Sequence, residues 1–333
     1  MKEQEIRRQI VETGRDLLES GLVARTWGNV SARLDEDNFL ITPSGLDYTK
    51  MQNEDIVRMN LTTGAWDGTH KPSGEKGVHQ AAYAVYDDVN FVIHTHQTYA
   101  TAIGLAGFDT LAITDEERSR LGGIALAGYG LSGTAKLTNA VRDALQGGAK
   151  TVLMLHHGAL ICGNDRAETM EKALLLEEIC RRSCLGQQGA AVSPQTEAAG
   201  RKLAQSLQTA YSYADVLQTP QTVRAAQSGK PLIAQLDDMA QMIGRKAPAA
   251  VVSKVKAAMK CRDAVLVPGI GIAVKAQNQD DLEALKLLMQ KAAIAKLHTD
   301  ALGSRIALGR TESALMHFVY RKKYAKQKEQ KKG

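Results

Sequence analysis

Two short, mostly apolar runs in this chain end in pairs of histidines, and no other feature limits the fold as tightly. The first, in VNFVIHTHQTYATA, spans Val89–Ile93 and breaks off at His94-Thr95-His96. Side chains alternate faces along a strand, so His94 and His96 leave a strand ending here on the same side. The second, TVLMLHHGALICG, carries His156 and His157 and reads as another buried strand, with His157 on the site side and His156 structural on the opposite face. A histidine at a strand end is most often a hydrogen-bonded structural group. The surrounding chain therefore has to decide what these pairs mean.

That chain alternates strands and helices. Glu3–Glu19 has helical apolar spacing before Gly21. RTWGNVSARL and FLITPSGLDY follow, the latter meeting a Pro-Ser-Gly turn. Lys71-Pro72-Ser73-Gly74 is a second such turn, and Glu75 opens a helix to about Tyr86. A helix starts near Tyr99. GGIALAGYG reads as a strand, SGTAKLTNAVRDAL as a capped helix, and a long helix spans Arg166 to about Leu185. The order predicts an α/β fold, layered α/β/α. GQQGAAVSPQT, residues 186–196, reads as a linker.

Past the linker the pattern returns in weakened form. CRDAVLVPGIGIAVKAQNQDDLEALKLL lies over AKTVLMLHHGALICGNDRAETMEKALLL so that Val152, Leu153 and Gly158 fall on Val265, Leu266 and Gly271, and His157 falls on Ile270. GKPLIAQLDD (229–238) resembles GGIALAGYG (122–130). We expect a first domain over 1–190, a shortened, degenerate repeat without ligands over 196–320, and a basic tail over 321–333. The tail holds seven basic residues and one acidic residue between Arg321 and Lys332, which accounts for the whole net charge of +6. A frayed, solvated terminus explains it better than nucleic acid, for which no reading motif is present. No stretch approaches the roughly 20 apolar residues of a membrane span. The charged opening MKEQEIRRQI does not read as a secretory signal. With four cysteines there is no disulfide framework, and a cytoplasmic setting is expected.

Four potential ligands stand out: Glu75, His94, His96 and His157. Three imidazoles and a carboxylate suit Zn²⁺ or another divalent transition metal, and a carboxylate that lets go of the ion becomes a base beside it. Glu75 stands at a helix start, where free amides favour anions. His79, one turn further along, either lines the site or sits on the exposed face of that helix, the exposed face being the commoner place for such a residue.

GNVS, TPSG, KPSGE, HTH and HHG in this order resemble the class II aldolase/adducin family, and within it the fuculose-phosphate aldolases, over about residues 5–190. The resemblance implies a central mixed, antiparallel-rich sheet flanked by helices, with an active site at the interface of a homo-oligomer. It implies zinc on His94, His96 and His157. It makes Glu75 the residue that binds the resting metal and then serves as acid/base. The loops Gly28-Asn29, Ser44-Gly45 and Ser73-Gly74 would hold the phosphate of a small sugar substrate. The implied reaction is reversible retro-aldol cleavage of a ketose 1-phosphate to dihydroxyacetone phosphate and an aldehyde. The chemistry of the residues agrees: a phosphate needs converging N–H groups and hydroxyls, and glycine turns allow close approach.

The wording also departs from the family. Ser73-Gly74 stands where Ser-Ser is common, so one hydroxyl is lost. A tyrosine expected shortly before Gly122-Gly123 is replaced by TDEERSR, in which Glu116 is the nearest acid. Trp27 in the first loop is unusual. By the same resemblance, epimerases and a decarboxylase use this scaffold, and adducin keeps it as an interaction module. The epimerases carry Asp at Glu75's place, and a module has no need of all four ligands.

Overall fold

In the computed structural model the described residues are 2–108, 110–186, 190–304 and 306–330, with side chains described through Lys322. Most of the basic tail expected over 321–333, and residues 187–189 of the expected linker, lie outside them. The chain divides into two compact units, 1–183 and 184–333.

Unit 1 runs α1 (Lys2–Glu19), β1 (Asn29–Arg33), β2 (Asn38–Ile41), β3 (Val57–Asn60), β4 (Trp66–Asp67), α2 (Lys76–Val85), β5 (Phe91–Thr95), α3 (Thr98–Ala106), α4 (Asp115–Arg120), β6 (Ile124–Ala127), α5 (Ala135–Gln146), β7 (Thr151–Met154), β8 (Gly158–Gly163) and α6 (Arg166–Ser183). Its strands form one eight-stranded sheet, ordered β4-β3-β2-β1-β5-β8-β7-β6. All pairings are antiparallel except β6 with β7. Strands β5, β7 and β8 are buried along their whole length, as their near-continuous apolar runs require. One face packs Phe39, Val92, Val152 and Leu160 against Val78, Ala81 and Ala82 of α2 and Leu137 and Val141 of α5. Full burial of each of these Phe, Val or Leu side chains contributes about 1.5–3 kcal/mol.

The stretch 151–163 corrects the sequence reading. It is not one strand but a hairpin: β7 and β8 pair antiparallel, Met154 opposite Gly158, across a tight turn. His156 sits in that turn with a left-handed φ of 68°. The apolar residues on either side of His-His-Gly belong to two adjacent buried strands, which hydropathy alone merges into one.

Unit 2 runs α7 (Pro194–Gln208), β9 (Tyr213–Leu217), α8 (Pro220–Gln227), β10 (Leu232–Ile233), α9 (Asp237–Met242), β11 (Lys246–Ala247), α10 (Val252–Met259), β12 (Ala264–Val267), β13 (Gly271–Ala276), α11 (Gln279–Ala301) and α12 (Arg310–Gln330). Ser193 caps α7 and Thr219 caps α8, each followed by proline at the first helical position, where its missing N–H costs nothing. Helix α7 thus starts inside the stretch expected as linker. A three-stranded sheet, β12-β13-β9, packs Val216, Val265, Val267 and Ala273 against Leu203 and Leu207 of α7 and Val255 and Met259 of α10. A buried ion pair, Lys291 to Asp238 at 3.0 Å, joins α11 to α9.

Candidate metal centre

Strand β5 delivers His94 inside the sheet and His96 just past its end. The β7–β8 turn delivers His157. Their approach depends on Gly158: a Cβ there would stand 2.1 Å from the Thr95 carbonyl oxygen, so any side chain would push the turn away from β5. The rings of His94 and His157 stack at 5.0 Å with 9° between planes, and His96 lies 4.8 and 4.7 Å from them. The His96 ring is itself stacked under Trp27 at 6.1 Å, so Trp27 walls the site.

Glu75 completes the group. As the residue before α2 its side chain makes no cap hydrogen bond and turns to the histidines instead. Its Oε1 lies 2.6 Å from His157 Nε2 and its Oε2 3.1 Å from His94 Nε2. One nitrogen from each histidine and a Glu75 oxygen all lie within 4.8 Å of one another. His94 and His157 are buried, and Glu75 is 11 % exposed at its side chain. Burial alone would raise the Glu75 carboxyl. The His94 and His157 imidazoles more than reverse that and hold it well below the usual carboxylate range.

This set fits a divalent cation by its own chemistry. His94 Nδ1 donates to the Ala159 carbonyl at 2.9 Å, so in the neutral ring Nε2 is the lone-pair nitrogen, aimed at Glu75 and His96. In that form His94 Nε2 and the ionised Oε2 are two electron-pair donors facing each other, an arrangement that a cation reconciles.

The sequence-expected loops converge on the same place. Gly28 has φ 75°, and a Cβ there would meet the His94 carbonyl oxygen at 2.5 Å. Asn29, the next residue, donates from Nδ2 to Glu75 Oε2 at 3.1 Å. The loops bearing Ser44-Gly45 and Ser73-Gly74 are bridged at Pro43 and Pro72. Ser44 N–H donates to the Lys71 carbonyl at 2.9 Å and Ser73 N–H to the Thr42 carbonyl at 3.1 Å. Ser73 Oγ accepts the Glu75 N–H at 3.2 Å. Glu116 stands elsewhere, exposed on α4 and outside the four-residue cluster.

Two expectations change. His79 is not on a helix surface: it is fully buried, with Nε2 hydrogen-bonded to Asn29 Oδ1 and Nδ1 2.6 Å from Ser31 Oγ. Burial, with His94 adding to it, pushes its imidazole down to about 3. His156 packs edge-on against Tyr129 at 5.1 Å instead of facing out from a strand. The sequence reading also missed Ser132, whose Oγ donates to Glu75 Oε1 at 2.9 Å from the β6–α5 loop. Its only signal was Gly133, the turn residue beside it, where a Cβ would crowd the Gly74 carbonyl at 3.0 Å.

The sequence over residues 8–184 matches the Class II Aldolase and Adducin N-terminal domain family. The chain belongs to that family. The match ends where unit 1 ends, and it places the chain among class II aldolase lyases. A relative, the 5-deoxy-D-ribulose 1-phosphate aldolase of Bacillus thuringiensis serovar kurstaki, is 32% identical over 163 residues, 49% of this chain and 76% of that protein. Among solved structures, an L-fuculose 1-phosphate aldolase superposes with a TM-score of 0.50 at 27% identity, covering 54% of this chain and 85% of its own. YgbL of Klebsiella pneumoniae, described as a candidate aldolase/epimerase/decarboxylase, gives 0.52 at 26% identity over 59% of this chain and 97% of its own. The α/β region of unit 2 is additional to this class II aldolase fold. Among the described residues no helix is long and apolar enough to cross a membrane.

Proposed function

We propose that this protein catalyses the reversible retro-aldol cleavage of a ketose 1-phosphate to dihydroxyacetone phosphate and an aldehyde. The observation that carries the reading is the convergence of Glu75, His94, His96 and His157 beside the Asn29, Ser44 and Ser73 loops. Two relatives named for ketose 1-phosphates support the substrate class. His94, His96 and His157 would hold the ion, zinc or another divalent transition metal, with Glu75 as the ligand able to leave. Bound there, the cation supplies stabilisation of the negative charge that develops on the substrate oxygens as the carbon–carbon bond breaks.

The remaining work falls to the chain. The N–H groups and hydroxyls of the Gly28-Asn29, Ser44-Gly45 and Ser73-Gly74 loops bind the phosphate and fix the sugar's register. In the cleavage direction the C4 hydroxyl gives its proton to a base at the aldehyde end as the C3–C4 bond breaks to release the aldehyde. Glu75, having taken up a proton from solvent, delivers it to C3 of the enediolate; in synthesis Glu75 removes that C3 proton and the aldehyde oxygen is protonated in turn. Ser132 and Asn29 hold the two oxygens of Glu75 between these tasks. Trp27 over His96 keeps water from one side of the pocket. Glu116 enters as the acid at the aldehyde end only across a subunit interface of a homo-oligomer, and a Glu116→Gln variant with unchanged turnover would remove it. The test of the reading is a panel of ketose 1-phosphates and pentulose phosphates assayed for dihydroxyacetone phosphate. Metal-dependent release from at least one 1-phosphate is expected. Interconversion of epimers or loss of carbon dioxide, without that release, would overturn the reading.

A further inference from the structure

We propose that His79 is a positioning residue: it decides which end of the Asn29 amide faces Glu75, and so keeps a donor on the carboxylate. The inference rests on the reading of Glu75 as acid/base, and its ground is a row of five side chains whose protons have only one consistent arrangement. Glu75 Oε2 is 3.1 Å from Asn29 Nδ2, which must donate because an ionised carboxylate only accepts. The other end of that amide, Oδ1, meets His79 Nε2, which must therefore carry a proton. A neutral imidazole has one N–H, so Nδ1 accepts and takes the Ser31 hydroxyl proton at 2.6 Å. Ser31 Oγ, having donated, accepts from the Tyr83 hydroxyl at 2.7 Å. Every donor in the row points toward Glu75.

The row exists because two periodicities meet. Asn29 and Ser31 are two apart on β1 and share a sheet face; His79 and Tyr83 are four apart on α2 and share a helix face. All four residues are buried, so no bulk water is at hand to reverse the direction of a donor. The low pKa of His79 keeps it neutral in the working range, as the arrangement requires. Without the His79 donor the Asn29 amide is free to turn its carbonyl toward Oε2, setting an acceptor against a carboxylate. The two Glu75 oxygens are then no longer held differently, Oε2 by Asn29 and Oε1 by Ser132.

The experiment compares His79→Gln, whose amide nitrogen takes the place of Nε2, with His79→Leu, which fills the space without a donor. Each is made alone and on an Asn29→Ala background. Readouts are kcat and KM on the best substrate, and Zn²⁺ affinity by competition with a chromophoric chelator. The Leu variant is expected to lose about 10- to 100-fold in kcat with KM nearly unchanged, and about tenfold in Zn²⁺ affinity. The Gln variant should stay within about threefold of wild type on all three. On the Asn29→Ala background the Leu change should cost nothing further. Wild-type behaviour of His79→Leu, or a full additional loss on that background, would overturn the proposal. If His79→Leu does not fold, Ser31→Ala takes its place: it frees the tautomer, and it must show a loss that vanishes without Asn29 or the proposal falls. Should the wild type cleave no ketose phosphate, the aldolase reading fails by itself, while the Zn²⁺ comparison still judges His79.

Discussion

The hairpin and helix at 151–183 and those at 264–301 make an instructive pair. Strands β7 and β12, β8 and β13, and the starts of α6 and α11 fall at one constant offset along the chain. The partners agree as well: β5 pairs with β8 from Phe91–Gly163 to Thr95–Ala159, and β9 with β13 from Tyr213–Ala276 to Leu217–Ile272, the same register. Even the tightest contact recurs, since a Cβ on Gly158 would meet Thr95 O at 2.1 Å and one on Gly271 would meet Leu217 O at 2.0 Å. We propose that unit 2 is a second copy of the unit 1 frame from which the metal site has been lost. In this register Val216 stands for His94, Gln218 for His96 and Ile270 for His157. Gln218 Nε2 donates to the carbonyls of Thr196 at 2.5 Å and Ile270 at 3.3 Å, so an amide now ties together backbone that the metal site joins in unit 1. Carried back to α7, the same spacing sets Glu197 opposite Glu75, but Glu197 is exposed and paired with Arg201 at 3.4 Å. Among the described residues unit 2 has no strands in the place of β1–β4, hence no counterpart of Asn29. On this proposal the frame survives without the chemistry: apolar strands and one glycine hold the fold, and four polar side chains form the candidate site.

The largest effect should separate the two copies outright. His157→Ala in unit 1 is expected to lower kcat/KM by roughly a thousandfold and abolish metal retention, whereas Gln218→Ala in unit 2 leaves both within about twofold. A comparable loss in Gln218→Ala would break the comparison. Next come Glu75 and its counterpart Glu197. Glu75→Gln should keep bound metal yet lose about 10²- to 10⁴-fold in turnover, because an amide cannot carry the proton; Glu197→Gln should be silent. Steady-state kinetics with metal analysis on the same samples checks both.

How much of this was legible in the sequence follows the range of each interaction. Alternation along one strand was enough to set His94 and His96 on one side, and the turn chemistry of Pro-Ser-Gly located Glu75. The β7–β8 turn was hidden because both its strands are apolar throughout. His79 looked like a surface residue because its helix says nothing of β1, and its partners Asn29 and Ser31 lie 50 and 48 residues away. Ser132 was missed for the same reason, being 57 residues from Glu75. The match of 229–238 to 122–130 followed hydropathy alone. In the structure the parallel bridge beside β12 is made by Ala249 to Leu266, while Leu232–Ile233 pairs with β11.

Two smaller effects sharpen the comparison. Gly158→Ala and Gly271→Ala should each cost about 3 kcal/mol by urea unfolding, since each would push a methyl into the carbonyl of the neighbouring strand, and Gly271→Ala somewhat more because its φ of 142° disfavours any side chain. Wild-type stability of either variant would argue that the two hairpins are not one design. Gly74→Ser adds a hydroxyl where a Cβ meets nothing within 4 Å, and Thr196 supplies one at the matching place in unit 2. One more hydrogen bond to a charged phosphate should lower KM by about tenfold, with kcat unchanged.

The most direct measurement is the number of zinc ions held per chain after loading the intact protein and removing free metal. The account predicts one, lost in His157→Ala and retained in Gln218→Ala. None at all, a second ion, or one ion that survives His157→Ala would contradict it.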